Sequence, residues 1–180
     1  QIMSMTKPVC GTAIMMLVEE GKLALTDPVE KHLPEFRGQM MVAYRDKDTV
    51  TLKKPSRPIT VRDLMTHTSG ISGGPQAGIG ELYQKMHLTL AEAVHFYSQL
   101  PLNFEPGTEW QYSNTGIATL GRLVEVASGM PFEKFLETRL FQPLGMKDSF
   151  IFPPADKVDR IVIVHHTHKR PPHISLLSGK

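Results

Sequence analysis

"SMTKPVCGTAIMMLVEEGKLALTDPVEKHLPEF", residues 4–36, is the stretch on which the fold turns. Its first half reads as a helix over 4–20 that stops at Gly21, a natural residue just past a helix end. Apolar residues surround that helix almost fully, which predicts a buried central helix rather than a surface one. Pro8 removes a backbone donor near the end of the first turn, so a tight or distorted start is expected. In "TDPVEKHLPEF", Pro28 lies just inside a short helix, with Thr26 or Asp27 as its expected cap.

Ser4 and Lys7 are three residues apart, so on a helix they share one face. A serine hydroxyl is a poor nucleophile until a base takes its proton. A lysine amine can be that base when burial or neighbouring cations lower its pKa, and the apolar run supplies burial. A helix N-terminus also aims N–H groups at developing oxyanion charge. Against this stands chance: about one S-x-x-K is expected in a chain of this length. The spacing alone does not decide.

Outward from this stretch the chain reads as mostly helical with minor β content. "MVAYRDKDTVTLKK" predicts a β-hairpin with "RDKD" as its turn. "ITVRDLMTHTSG" puts Thr60 at a helix N-cap, and "GISGGPQAGIG" is a Gly/Pro-rich loop. "LTLAEAVHFYSQL" is an amphipathic helix capped by Thr89. "NFEPGTEWQYSN" holds a Pro-Gly turn and a short extended run. "TGIATLGRLVEVASG" is a helix closing at Gly129, and "MPFEKFLETRLFQPLGM" another, between Pro131 and Pro143.

The bulk numbers narrow the function. The 180 residues suit one domain, or one and a piece of another, and 41% hydrophobic content fits a globular core. Twenty basic and 18 acidic residues leave a net charge of +2, which gives no reason to propose nucleic acid or an anionic membrane as partner. Cys10 is the single cysteine, so no internal disulfide forms and the compartment stays open between cytoplasm and periplasm. The apolar run at 8–18 is too short to span a bilayer, and "EEGK" after it is no leader cleavage site.

Three further groups invite chemistry. Tyr112 and Asn114 follow a turn and precede a helix. A tyrosine beside a cation can serve as acid or base, and an asparagine can orient a lysine or bind a carbonyl. A packed tyrosine followed by an Asn or Ser helix cap explains them equally well. Gly70-Ile71-Ser72-Gly73-Gly74 fits G-x-S-x-G, but a helical segment precedes it and a loop follows, the wrong setting for a nucleophile elbow. His165, His166, His168 and His173 have spacings open to zinc or nickel. No carboxylate or cysteine lies among them, and a solvated basic loop is the expected state.

Taken together, "SMTKPVCGTAIMMLVEEGKLALTDPVEKHLPEF", "ITVRDLMTHTSGI" and "EPGTEWQYSNTGIATLGRLVEVASGMPFEKFLETRLFQPLGMKDSF" resemble the serine β-lactamase and penicillin-binding-protein superfamily. The resemblance is to the bacterial branch of class C β-lactamases, D-alanyl-D-alanine carboxypeptidases and family VIII carboxylesterases, and it runs in the family's order to about residue 152. It implies an α+β, β-lactamase/transpeptidase-like fold. It makes Ser4 the acylated nucleophile and Lys7 its proton acceptor. Tyr112 relays protons, and Asn114 holds Lys7 and the substrate's carbonyl side. The Ser4 backbone N–H is half the oxyanion hole. A tyrosine at the second motif argues against the class A type.

The family's third motif, of Lys-Thr-Gly or His/Trp-x-Gly type, is not found; "HTSG" at 67–70 is out of order. The chain is therefore expected to be a fragment: nucleophile helix plus helical domain over 1–152, then a basic, His-rich segment over 153–180 leading toward a sheet mostly absent. Losing the sheet's oxyanion donor costs on the order of a hundredfold or more, so the 180-residue chain by itself is expected to be poorly active. The implied activity is acyl transfer to Ser4 followed by hydrolysis, with a small ester as first choice and no cofactor or metal. β-Lactamase or D,D-carboxypeptidase action on the same machinery is the alternative, and a non-catalytic helical binding module is the reading from another class.

Overall fold

Pro8 decides how the chain enters its first helix. Without an N–H it cannot close an α-type bond to the Ser4 carbonyl, and the turn before it tightens. In the computed structural model, which describes residues 2–73 and 88–161, Met3–Met5 form a 3-10 turn, with the Met5 N–H donating to the Ile2 carbonyl at 3.0 Å. Helix α1 follows over Thr6–Glu19 and ends before Gly21, which has a left-handed φ of 70°. The expected distorted start is present.

Helix α2 (Val29–His32) corrects the expected cap. Neither Thr26 nor Asp27 caps it; Pro28 occupies the N-cap with no side-chain bond. One interaction across the fold replaces the cap. The Val29 N–H donates to the Ile59 carbonyl at 2.9 Å. The Asp27 carboxylate turns elsewhere, accepting the Ala24 N–H at 2.9 Å, His32 Nε2 at 2.8 Å and Lys31 Nζ at 2.7 Å. Burial of Asp27 opposes its ionisation, but the hydrogen bonds from Lys31, His32 and Ala24 outweigh it and bring its pKa down to about 2.

The predicted hairpin is strand β1 (Met41–Arg45) antiparallel to β2 (Val50–Lys53), with an irregularity between Val42 and Tyr44. Its turn lies one residue later than predicted, because the Asp46 carboxylate accepts the N–H groups of both Asp48 (2.9 Å) and Thr49 (2.7 Å). Helix α3 (Val61–Met65) has the predicted Thr60 cap as a reciprocal box with Asp63. Asp63 is buried and also accepts from the two terminal nitrogens of the Arg57 guanidinium, at 2.6 and 3.0 Å. Helix α4 (Leu90–Ser98) carries the same kind of box between Thr89 and Glu92.

Helix α5 (Asn114–Ser128), capped by Ser113, is the hub: α1, α3, α4 and α6 (Phe132–Phe135) all pack on it. A π-helical turn, Leu136–Phe141, continues α6. Near residue 161, Lys157 and Arg160 pair with Asp148 at 3.1 and 2.8 Å. The expectation of a helix buried all round is also corrected. Cys10, Ala13, Ile14 and Leu17 of α1 are buried at helical spacing, while Met5 is 70% and Met15 43% exposed. The described residues cover one face of α1 only. Among them no helix is long and apolar enough to cross a membrane.

Candidate active site

Ser4 comes from the 3-10 turn and Lys7 from the first turn of α1, so both project from the end of one helix. Tyr112 arrives from the other side of the fold, on the extended run just before α5. The docking of α1 on α5 is what joins them. Ser4 Oγ lies 2.8 Å from Tyr112 Oη, and Lys7 Nζ donates to Ser4 Oγ at 3.3 Å. Lys7 Nζ also stands 4.5 Å from the Tyr112 ring centroid, a cation over a π face. The Lys7 ammonium first, and the Ser4 hydroxyl second, draw the Tyr112 phenol below its ordinary pKa. The hydroxyl of Ser4 is thus flanked by two groups able to exchange a proton with it.

The segment bearing Tyr112 is tied down on both sides. Ser113 Oγ accepts the Gly116 N–H at 2.9 Å as the α5 cap, a bond of about 1 kcal/mol. It also donates to the Ser72 carbonyl at 3.3 Å, which the Thr115 hydroxyl bonds as well. Gly73 lets this strap approach closely: a Cβ there would meet the Tyr112 carbonyl oxygen at 2.6 Å. The Asn114 N–H donates to the Gly73 carbonyl at 3.3 Å. The part of G-x-S-x-G inside the described residues is therefore a support beneath Tyr112. Helix α3 precedes it, as the sequence led one to expect.

Asn114 opens α5 with an exposed side chain, and among the described residues that side chain makes no hydrogen bond to Lys7. The structure brings Ser4, Lys7 and Tyr112 together; Asn114 follows Tyr112 in the chain by two residues. The four histidines at 165, 166, 168 and 173 lie outside the described residues. Among the described residues no group of three or more His, Cys, Asp or Glu is placed to hold a metal ion. Cys10 is buried, and burial pushes its thiol up to about 12, far from a reactive thiolate.

His67 is the site neighbour that sequence reasoning passed over. It has a left-handed φ of 60°, which costs an L-residue about 1–3 kcal/mol. Its Nδ1 accepts the Ser113 N–H at 3.2 Å, which places its proton on Nε2. Its ring lies 4.9 Å from the Tyr112 ring and 5.9 Å from the Trp110 ring. Burial, then the charge of Lys7, lowers its pKa and favours the neutral imidazole. The contact spans 46 residues, and no local spacing announces it.

Comparison with known proteins identifies the family and the fold. The Beta-lactamase family model matches residues 1–179. Esterase EstB of Burkholderia gladioli is 35% identical over 158 residues, covering 82% of this chain and 37% of EstB. Among solved structures, EstCE1, described as a hydrolase with promiscuous acyltransferase activity, aligns with a TM-score of 0.67 at 30% identity, over 84% of this chain and 39% of that one. The octameric penicillin-binding protein homologue from Pyrococcus abyssi aligns with a TM-score of 0.65 at 31% identity, over 88% and 34%. The chain spans less than half the length of these relatives. With a β-lactamase/transpeptidase-like fold and a family match along nearly its whole length, the chain belongs to the beta-lactamase family.

Proposed function

We propose that the protein is a serine hydrolase that works through an acyl-enzyme on Ser4, with small carboxylic esters as substrates. One observation carries this: Ser4 Oγ is bracketed by Tyr112 Oη at 2.8 Å and Lys7 Nζ at 3.3 Å. In the first half-reaction the Ser4 hydroxyl proton passes to Tyr112 in its phenolate form, stabilised by the Lys7 ammonium, as Oγ attacks the ester carbonyl carbon. The carbonyl–alkoxy bond breaks and the departing alkoxide takes the proton, leaving as an alcohol. Water then adds to the acyl-Ser4 carbonyl, giving its proton to the same phenolate. Ser4 leaves with that proton restored, and a carboxylic acid is released. The shorter contact, and the lowered phenol pKa, favour Tyr112 as the immediate proton partner, with Lys7 stabilising the phenolate. Asn114 is assigned to the substrate's carbonyl side.

EstB supports the ester over the amide. The penicillin-binding-protein homologue supports the alternative of a β-lactam substrate, and a Salmonella agona relative named for D-alanyl-D-alanine carboxypeptidase supports that of a D-alanyl-D-alanine one, on the same machinery. The test is made on the whole protein that carries this sequence. A fluorophosphonate adduct is mapped by peptide mass, and hydrolysis of a p-nitrophenyl ester is run beside that of a chromogenic cephalosporin. An adduct on Ser4 with faster ester turnover is expected. An adduct on Ser72, or none at all, would overturn the acyl-Ser4 mechanism; preferential cephalosporin turnover would replace the ester by the β-lactam.

A further inference from the structure

His67 meets the Tyr112 segment at three consecutive residues. Its backbone carbonyl accepts the Gln111 N–H at 2.9 Å. Its ring lies against the Tyr112 ring, with planes 33° apart. Its Nδ1 accepts the Ser113 N–H at 3.2 Å. The amides immediately before and after Tyr112 therefore both end on one residue, and the side chain between them rests on that residue's ring. Edge-to-face contact with Trp110 extends the hold by one more residue.

The clamp has a firm base. His67 is the second residue past α3, after the C-cap Thr66, and its own N–H donates to the Leu64 carbonyl at 3.4 Å. The next residue, Thr68, donates its N–H to the Asp63 carbonyl at 2.9 Å. Asp63 in turn is buried and locked by Thr60 and Arg57. The left-handed backbone at His67 turns its carbonyl and its ring toward the same three residues. That conformation persists where surrounding contacts hold it, and here those contacts include the bonds to Gln111 and Ser113 and the ring of Tyr112.

We propose that His67 is the positioning residue of the site, clamping the 111–113 backbone so that Tyr112 Oη stays within hydrogen-bond reach of Ser4 Oγ. The proposal rests on the acyl-Ser4 mechanism proposed above. A histidine meets the two requirements at once: a neutral Nδ1 that accepts an N–H, and a flat face for the phenol ring. Alanine offers neither. Asparagine tolerates the left-handed backbone and places an oxygen near the Nδ1 position, but offers no ring. A displacement of about 1 Å at a reacting group can cost about a hundredfold in rate, and the Ser4–Tyr112 contact has no slack for one.

The experiment compares His67→Ala and His67→Asn with the wild type in the whole protein, labelled with 13C at tyrosine Cζ. The Tyr112 resonance is assigned through Tyr112→Phe and titrated by NMR. Turnover of p-nitrophenyl acetate is measured per folded molecule. In His67→Ala the Tyr112 titration is expected to move up toward that of a free phenol. Its kcat should fall about 10- to 100-fold with KM within about twofold, and His67→Asn should recover part of both effects. A Tyr112 titration that stays put in the folded variants would overturn the clamp, as would an unchanged kcat. A residue that served folding alone would lower the melting temperature and leave the titration where it was. Should His67→Ala fail to fold, His67→Asn decides. Ser4→Ala is run in parallel: an unlabelled Ser4 in the wild type defeats the hydrolase mechanism, while the titration still judges the clamp without reference to turnover.

Discussion

Tyr112→Phe removes one oxygen and keeps the ring contacts with His67 and Trp110. If the phenol exchanges the Ser4 proton, kcat on a p-nitrophenyl ester should fall about 10²- to 10⁴-fold with little change in KM. A near-normal rate in that variant, with Lys7→Met inactive, would make Lys7 the acceptor instead. A second prediction concerns acid. The bond from the Ser113 N–H exists only while the His67 imidazole is neutral, and the folded pKa of His67 lies below the ordinary 6.5. The unfolded chain therefore takes up its proton first. The stabilisation is whole above about 6.5 and is lost as pH falls below it toward the folded value. Among the described residues, the rings of Tyr112 and Trp110 and the cation of Lys7 face this imidazole. Thermal melts should show the wild-type midpoint falling more steeply below about pH 6.5 than that of His67→Asn. Equal slopes would contradict this.

Elements here are held by side chains that close their ends. Helix α3 is five residues long, too short to persist unaided, and depends on the Thr60–Asp63 box and the Arg57 pair. Asp63→Ala leaves the Arg57 guanidinium and the Thr60 N–H without their acceptor. Because the Arg57 side chain is partly exposed and keeps the Pro58 carbonyl, a loss of about 2 kcal/mol is expected in urea unfolding, against about 1 kcal/mol for Thr60→Ala. Equal losses would mean that Asp63 acts only through the cap. Both Thr caps were legible in the sequence, because a cap is a local pattern; that Asp63 and Glu92 close them into reciprocal boxes came from the structure. The α2 end was not legible in this way. Its first N–H finds the Ile59 carbonyl across the fold, and Asp27 is drawn to Lys31 and His32, partners that a capping rule does not weigh.

For the whole molecule, stability concentrates where α5 meets its neighbours. Leu123 is fully buried in that helix, so Leu123→Ala should cost about 2–5 kcal/mol and lower the melting temperature, while Val126→Ala, on the exposed side, should cost far less. Comparable losses would move the core elsewhere. The sequence by itself determined the helices, the hairpin, two caps and the family, because periodicity, turn residues and motifs are written in neighbouring positions. It also supplied Ser4 with Lys7 as one pair and Tyr112 with Asn114 as another, joined only by the family resemblance. Only the tertiary structure decided that Ser4 and Tyr112, 108 residues apart, share a hydrogen bond. It alone turned "HTSG" into a clamp and GIS into a support. The physical reason is the packing of α1 on α5: burial of their apolar faces sets the distance between two polar ends that no local rule connects.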